Sequence, residues 1–480
     1  MHTMPYQMQN QWLQKILSIA RNTEVGEKYQ FKEIKDYRTF AERLPIQNYE
    51  DAQPDIERMM LGEKDILWPG YVKWYSKSSG TTNDRSKYIP VPSQNLRQCH
   101  IQGSWDSMSI LYHHKPDADN FSKKSLLMGG SIAPYEPYPK TKTGDVSAVM
   151  IYNMPFIGRP FYTPDFETAL MDDWEEKIEK MMRITAQEDV VMMGGVPTWS
   201  VVLLNRILEY TGKSNMMEVW PNINAYLHGG VGFDPYREQF KEYFPSPDFI
   251  FQEIYNASEG FIGIQDDQLI KSILLLTDNG MFFEFEDMES GQVVPLEGVK
   301  TGVNYSLIMS TNAGLWRYRI GDTICFDSVL PHRFKITGRV QQFINVFGEE
   351  VMVANTDKAL AMTCRSFGAQ AEEYTVAPIF LKGTKKGGHE WVIEFKHAPS
   401  DMHLFSRILD DNLQKLNSDY AAKRSHNLAL EPLQLTAVES GTFHKWMKSR
   451  GKYGGQNKVP RLSNNRKYVD QLLTYVTSES

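Results

Sequence analysis

The sequence predicts an α/β protein with a large N-terminal domain of mixed sheets and helices and a small α+β domain after it. Three observations carry this. Up to about residue 260, short apolar runs alternate with amphipathic helical segments, the pattern of strands and helices packed in layers. From about residue 270 the runs become longer and rich in β-formers, as in "SILLLTDNGMFFEFEDM" and "YSLIMSTNAGLWRYRIGDTICFDSV". After residue 340 two helical segments flank two strand-like runs, a domain of ordinary size. The boundaries expected are 1–338, a hinge at 339–343, and 344–480.

Taken in order, "QWLQKILSIARN" carries the pattern Trp12, Ile16, Leu17 and Ile19 to Ala20, so it reads as an amphipathic helix docking on the core. Further helices are expected at "YEDAQPDIERMML", "SQNLRQCHIQGSWDSMSILY", "DDWEEKIEKMMRITAQE" and "TWSVVLLNRILEY". The runs "SLLMGG", "VVMMGG", "NAYLHGG" and "FIFQEIY" read as strands of a largely buried sheet. Three of them reach glycine pairs at Gly129, Gly194 and Gly229, beyond strand ends where open α/β sheets bind ligands. "DNG" between two β-rich runs predicts a hairpin. In the small domain, "NTDKALAMTCRSF" and "SDMHLFSRILDDNLQKLNSDYAAKRS" read as helices, and "EEYTVAPIFL" and "EWVIEFK" as strands.

Composition narrows the function. Of 480 residues 41% are hydrophobic and 23% charged, the mix of a folded soluble chain. A net charge of −7 offers no basic field for a phosphate backbone, so no nucleic acid partner is expected. Cys99, Cys325 and Cys364 are too few and too dispersed for a disulfide framework or a zinc site, which fits a reducing cytoplasm. No secretory leader is recognisable at the N-terminus, and no apolar run is long enough to span a membrane. The Gly-x-Ser-x-Gly, His-Glu-x-x-His, Cys-x-x-Cys, Gly-x-Gly-x-x-Gly and kinase catalytic-loop patterns are missing.

Three clusters carry chemistry. "WYSKSSGTTNDRSKYIPV" is not a Walker A loop, yet its hydroxyls, Gly N–H groups and trailing Lys form a set able to wrap polyphosphate. "EIYNASEGFIGIQ" places Tyr255, Ser258 and Glu259 at a strand end, where a carboxylate can hold Mg²⁺ bridging phosphates. "GLWRYRIGDTICF" offers Asp322, whose two oxygens can accept both hydroxyls of a ribose; the plainer reading is a surface turn with an Arg–Asp ion pair.

In this order, followed by "ITGRVQQFINVFGEEV" and "SGTFHKWMKSRGKYGGQNKVPRL", the clusters resemble the adenylate-forming enzymes. More closely, nearly the whole chain is similar to the auxin-responsive acyl-acid amido synthetases, the GH-three family. The resemblance implies a firefly-luciferase-like architecture with a mobile C-terminal lid. It further implies ATP and Mg²⁺, a carboxylic acid and an amino acid or other amine as substrates, and a ligase forming a C–N bond through an acyl-adenylate. By position, Ser78, Ser79, Gly80, Thr81 and Thr82 would line the triphosphate and Lys87 would close the loop. Tyr255, Ser258 and Glu259 would meet the AMP moiety and Mg²⁺, with Glu259 as the metal ligand, and Asp322 would hold the ribose. Arg339 would sit at the hinge, and Lys458 would be carried to the active site by rotation of the small domain. The chain departs from the pattern at Asp84, where the family often has Gly; Arg85 beside it can pair with that charge. Two alternatives stand: an acyl-CoA ligase using the same acyl-adenylate, and a nucleotide-binding protein without turnover.

Overall fold

The computed structural model describes residues 4–78, 87–230, 233–234, 236–339, 343–344, 351–379, 387–417, 420–421, 424, 430–451, 458–463 and 465–477. They fall into two compact units. The first is made of Met1–Val231 and Lys241–Lys335; the second takes Gly232–Phe240, Ile336–Tyr453 and Asn457–Ser480. The chain passes between them inside the strand His332–Arg339.

The first unit is organised by a sheet of twelve strands. Tyr162–Thr163, Lys124–Leu127, Val190–Gly195, Ala225–His228 and Ile250–Ala257 are parallel neighbours. Ile250–Ala257 is the seam: it runs parallel to Ala225–His228 on one side and antiparallel to Gly260–Ile264 on the other. Beyond it the sheet is antiparallel wherever its register is described. A parallel strand needs a covered face on each side, which explains the unbroken apolar runs. One cover of the parallel part is the helix Gln102–His114, whose Met108 and Leu111 pack with Met192, Ala225, Leu227 and Ile250. The N-terminal helix Pro5–Ala20 packs instead on the antiparallel part, burying Trp12, Leu13, Ile16, Leu17 and Ala20.

The expected hairpin at Asp278–Gly280 does not form. A turn is there, with Gly280 at φ +78°, but Ile273–Leu275 pairs with Gly260–Ile264 and His332–Arg339, while Met281–Asp287 pairs with Val293–Pro295 and Asn304–Thr311. The reason is remote. Gln9, buried on the N-terminal helix, donates to the carbonyls of Thr277 and Met281 at 2.9 Å each and accepts from Phe283 N at 2.8 Å. It takes over backbone groups that a hairpin would have paired.

The second unit is a three-stranded sheet of Gln370–Ile379, Gly388–His397 and Gln434–Val438. Helices Val353–Phe367 and Met402–Leu416 share one core with Tyr374, Trp391 and Ile393. Thr442–Ser449 and Lys467–Thr477 share another with Ala377, Val392 and Val438, so the alternating strand residues are buried on both faces. Gly232–Phe240 joins this unit through Tyr236, whose hydroxyl donates to Glu373 at 2.9 Å beside Arg461. No helix among the described residues is long and apolar enough to cross a membrane.

A candidate nucleotide and acyl site

The first cluster forms the base of a hairpin. Trp74–Ser78 pairs with Lys87–Pro90 so that Ser78 and Lys87 share a rung, and the loop between them leaves and returns at one place. Ser79, Gly80, Thr81 and Thr82, with Asp84 and Arg85, lie outside the described residues, as does the Ser78 side chain. Lys87 is half-buried, its Nζ 5.5 Å from the centre of the Tyr49 ring. Tyr49 accepts from Tyr88 N at 2.8 Å, and burial pushes its own pKa up to about 12.

The second cluster is the turn at the seam. Ala257 pairs with Gly260, so Ser258 and Glu259 are the two residues of a tight hairpin turn, both buried. Their positions are fixed by the other clusters. Ser76 Oγ, on the face of the first hairpin that alternation shares with Trp74 and Ser78, donates to Ser258 Oγ at 3.0 Å. Tyr318 OH donates to Glu259 Oε1 at 3.4 Å, and burial first, then the Glu259 charge, raises the Tyr318 pKa so that it stays a donor.

The third cluster supplies Asp322. The strand Tyr318–Val329 bulges between the rungs Ser306–Thr323 and Ile308–Arg319, and Gly321 in that stretch takes φ +93°, a conformation that favours glycine. Bulges re-aim side chains. Here Asp322, buried, accepts a hydrogen bond from Tyr255 OH. The plainer expectation of an Arg–Asp pair in a surface turn fails: Arg317 is buried against Glu284, and Arg319 is bidentate on Glu286.

The second cluster is thus tied to the first by Ser76–Ser258 and to the third by Tyr255–Asp322 and Tyr318–Glu259. The sequence reading missed Ser76 and Tyr49 and gave Tyr318 no role. Two of these were signalled: Ser76 by strand alternation ahead of the loop, Tyr318 by its place beside two arginines. Lys458 lies in the second unit, in a segment pinned by Thr375 Oγ1 to Pro460 O at 2.6 Å and Val376 N to Arg461 O at 2.8 Å. Arg339 ends the strand His332–Arg339, its side chain outside the described residues.

Among the described residues no group of three His, Cys, Asp or Glu side chains is arranged to hold a metal by itself. Mg²⁺ does not require one, since one or two carboxylates with substrate phosphates suffice. Glu259, a carboxylate at the turn between the first and third clusters, fits that donor set.

The base of a hairpin, a carboxylate turn and an aspartate thus meet at the seam of a mixed sheet, the arrangement of an adenylate-forming fold. Residues 1–173 and 131–249 match the GH3 family N-terminal domain, 274–339 its central domain and 354–467 its C-terminal domain. The chain belongs to the GH3 family. It is 22% identical to the indole-3-acetic acid-amido synthetase GH3.3 of Arabidopsis thaliana, covering 98% of this chain and 91% of that one. It is 21% identical to the 4-substituted benzoates-glutamate ligase GH3.12 of Arabidopsis thaliana, covering 98% and 95%. Among solved structures, the GH3.15 acyl acid amido synthetase superposes with a TM-score of 0.81 at 18% identity, over 98% of this chain and 94% of that one. A 2-hydroxyisobutyryl-CoA ligase with its acyl-AMP superposes with a TM-score of 0.62 at 11% identity, over 98% and 91%. The fold is that of these ligases.

Proposed function

We propose that this protein activates a carboxylic acid with ATP and transfers the acyl group to the amine of an amino acid. The observation that carries it is the joining of the first and third clusters to the second. A carboxylate is a poor electrophile. Its oxygen attacks the α-phosphorus of ATP, a P–O bond forms, and pyrophosphate leaves with the electron pair of the broken bond. An amine nitrogen then attacks the acyl carbon, AMP leaves, and the amine proton passes to solvent.

In this reading Ser78, Ser79, Gly80, Thr81 and Thr82 surround the triphosphate with Lys87 at the foot of the loop. Asp322, oriented by the Tyr255 hydroxyl, accepts from the ribose hydroxyls. Ser258 lies against the AMP moiety. Glu259 would hold Mg²⁺, which when bound spreads the charge on the phosphate oxygens. Arg339 marks the hinge at 339–343, and Lys458 arrives by movement of domain 344–480, which also keeps water from the mixed anhydride. A cytoplasmic location accords with three free cysteines.

A second reading passes the same acyl-adenylate to a thiol. The basic segment His444, Lys445, Lys448 and Arg450 favours it, because a phosphorylated thiol carrier needs cations. Product analysis separates the two. With an aryl or aliphatic acid, ATP and Mg²⁺, an amide mass in the presence of mixed amino acids is the expected outcome. A thioester with CoA and no amide would replace the reading with the second one.

A further inference from the structure

The strand Lys87–Pro90 stands at the end of a four-stranded sheet, beside Trp74–Ser78. An end strand has backbone donors that its sheet does not pair. One of them, Tyr88 N, donates to the hydroxyl of Tyr49 at 2.8 Å. Tyr49 is the first residue of the helix Tyr49–Met60 and is buried. It meets the hairpin a second time, its ring centre 5.5 Å from Lys87 Nζ, within the range of a cation–π contact. The rungs Ser78–Lys87 and Ser76–Ile89 put Lys87 on the same face as Ser76, the residue that meets Ser258. Lys87 therefore stands on the side of the hairpin that faces the carboxylate turn.

Tyr49 is itself held from the other direction. Gln47 N donates to Arg317 O at 3.0 Å and Arg319 N to Gln47 O at 2.8 Å, a parallel bridge that lays Gln47 along Tyr318. Asn48 Oδ1 accepts from Arg319 Nη1 at 3.2 Å, and Asn48 N donates to Asp51 at 2.8 Å as the helix begins. Residues 47–49 thus join the third cluster directly to the first, a link that Ser76–Ser258, Tyr255–Asp322 and Tyr318–Glu259 do not make.

The physical need for such a link lies in the lysine. Its long stem is flexible, so an ammonium that sweeps solvent loses rotamer freedom when it binds an anion. A ring beside it restricts the sweep before the anion arrives, and does so without neutralising the charge as a carboxylate would. Burial pushes the Tyr49 phenol up to about 12, so the ring stays neutral and does not compete with a phosphate for the ammonium.

We propose that Tyr49 is a positioning residue for the triphosphate: its hydroxyl pins the strand that carries Lys87, its ring pre-sets the Lys87 ammonium, and residues 47–49 hold both against the strand of Asp322. The inference rests on the adenylation reading, in which Lys87 stands at the foot of the phosphate loop.

The test is a double-mutant cycle between Tyr49 and Lys87, read as acid-dependent exchange of pyrophosphate into ATP. Tyr49→Leu should lower kcat/KM for ATP by about 10-fold, and Tyr49→Phe, which keeps the ring, by about threefold. In the Lys87→Ala background neither substitution should cost anything further, because the group they position is gone. The KM for the acid should stay within about twofold throughout. A Tyr49 that served the fold alone would lower the urea midpoint and reduce exchange by the same factor with or without Lys87. That result, or wild-type kcat/KM in Tyr49→Leu, would overturn the inference and leave adenylation standing. Where Tyr49→Leu does not fold, Tyr49→Phe in the two backgrounds decides. Normal exchange in Lys87→Ala would remove Lys87 from the site and this inference with it, whereas a wild type that exchanges with no acid would remove the adenylation reading itself.

Discussion

Arg317 and Asp322 lie five residues apart in one motif, yet the structure gives them opposite surroundings. Arg317, at φ +43°, is fastened from every side: its N donates to Ser310 Oγ at 2.8 Å, its Nε and Nη2 to Glu284, and its Nη1 to the carbonyls of Ala41 and Leu44 at 2.8 and 2.7 Å. It sews the N-terminal helices to the sheet. Asp322, re-aimed by the bulge, meets a tyrosine hydroxyl. A guanidinium saturates a carboxylate and compensates its charge, whereas a phenol hydroxyl orients a carboxylate without neutralising it. One motif therefore holds an anchor and a proposed recognition group, and composition alone does not tell them apart.

The sharpest way to break this comparison is Arg317→Ala. Removing one partner of a buried pair leaves Glu284 uncompensated, so stability should fall by about 3–5 kcal/mol, read from the urea midpoint, while the folded fraction keeps its KM for ATP. Asp322→Ala should do the reverse. Losing two charge-assisted hydrogen bonds to the ribose lowers kcat/KM for ATP by roughly 100-fold, with the urea midpoint shifted little. Tyr255→Phe, which removes only the hydroxyl that orients Asp322, should cost roughly 10-fold in the same constant. An Asp322→Ala protein with normal kcat/KM would dissolve the distinction.

A third kind of carboxylate extends the contrast to the second unit. Glu394 accepts from Gly441 N at 2.6 Å and Phe443 N at 2.9 Å at the start of the helix Thr442–Ser449. Burial, aided by the neighbouring Glu372, lifts its pKa from 4.5 to about 7 despite those donors. Between these values the folded state binds more protons than the unfolded, so this group's contribution to stability falls as pH rises through the window. Glu394→Gln should flatten that slope, the smallest effect of the four, seen by comparing urea midpoints at about pH 5 and pH 7. An unchanged slope would mean that Glu394 titrates normally.

How much of this was legible depends on where the deciding group sits. The helix Pro5–Ala20 and the parallel strands were readable because periodicity and apolar runs are local. The three candidate clusters stand out in the sequence through their hydroxyls and carboxylates, each within a few neighbouring residues. The hairpin at Asp278–Gly280 failed because Gln9, remote in sequence, occupies the backbone groups involved. The plainer expectation of an Arg–Asp pair in a surface turn fails for a similar reason: Glu284 reaches Arg317 through strand register, which no short stretch encodes. The recruitment of Tyr236 to Glu373 and Arg461 is likewise a long-range event.

The central claim is that the joined clusters form an adenylation site. It is tested most directly by acid-dependent exchange of labelled pyrophosphate into ATP, with wild type and Asp322→Ala side by side. The account predicts exchange that requires both Mg²⁺ and a carboxylic acid in the wild type and falls roughly 100-fold in the variant. ATP binding without exchange across aryl, indole and aliphatic acids, or exchange indifferent to Asp322, would contradict it.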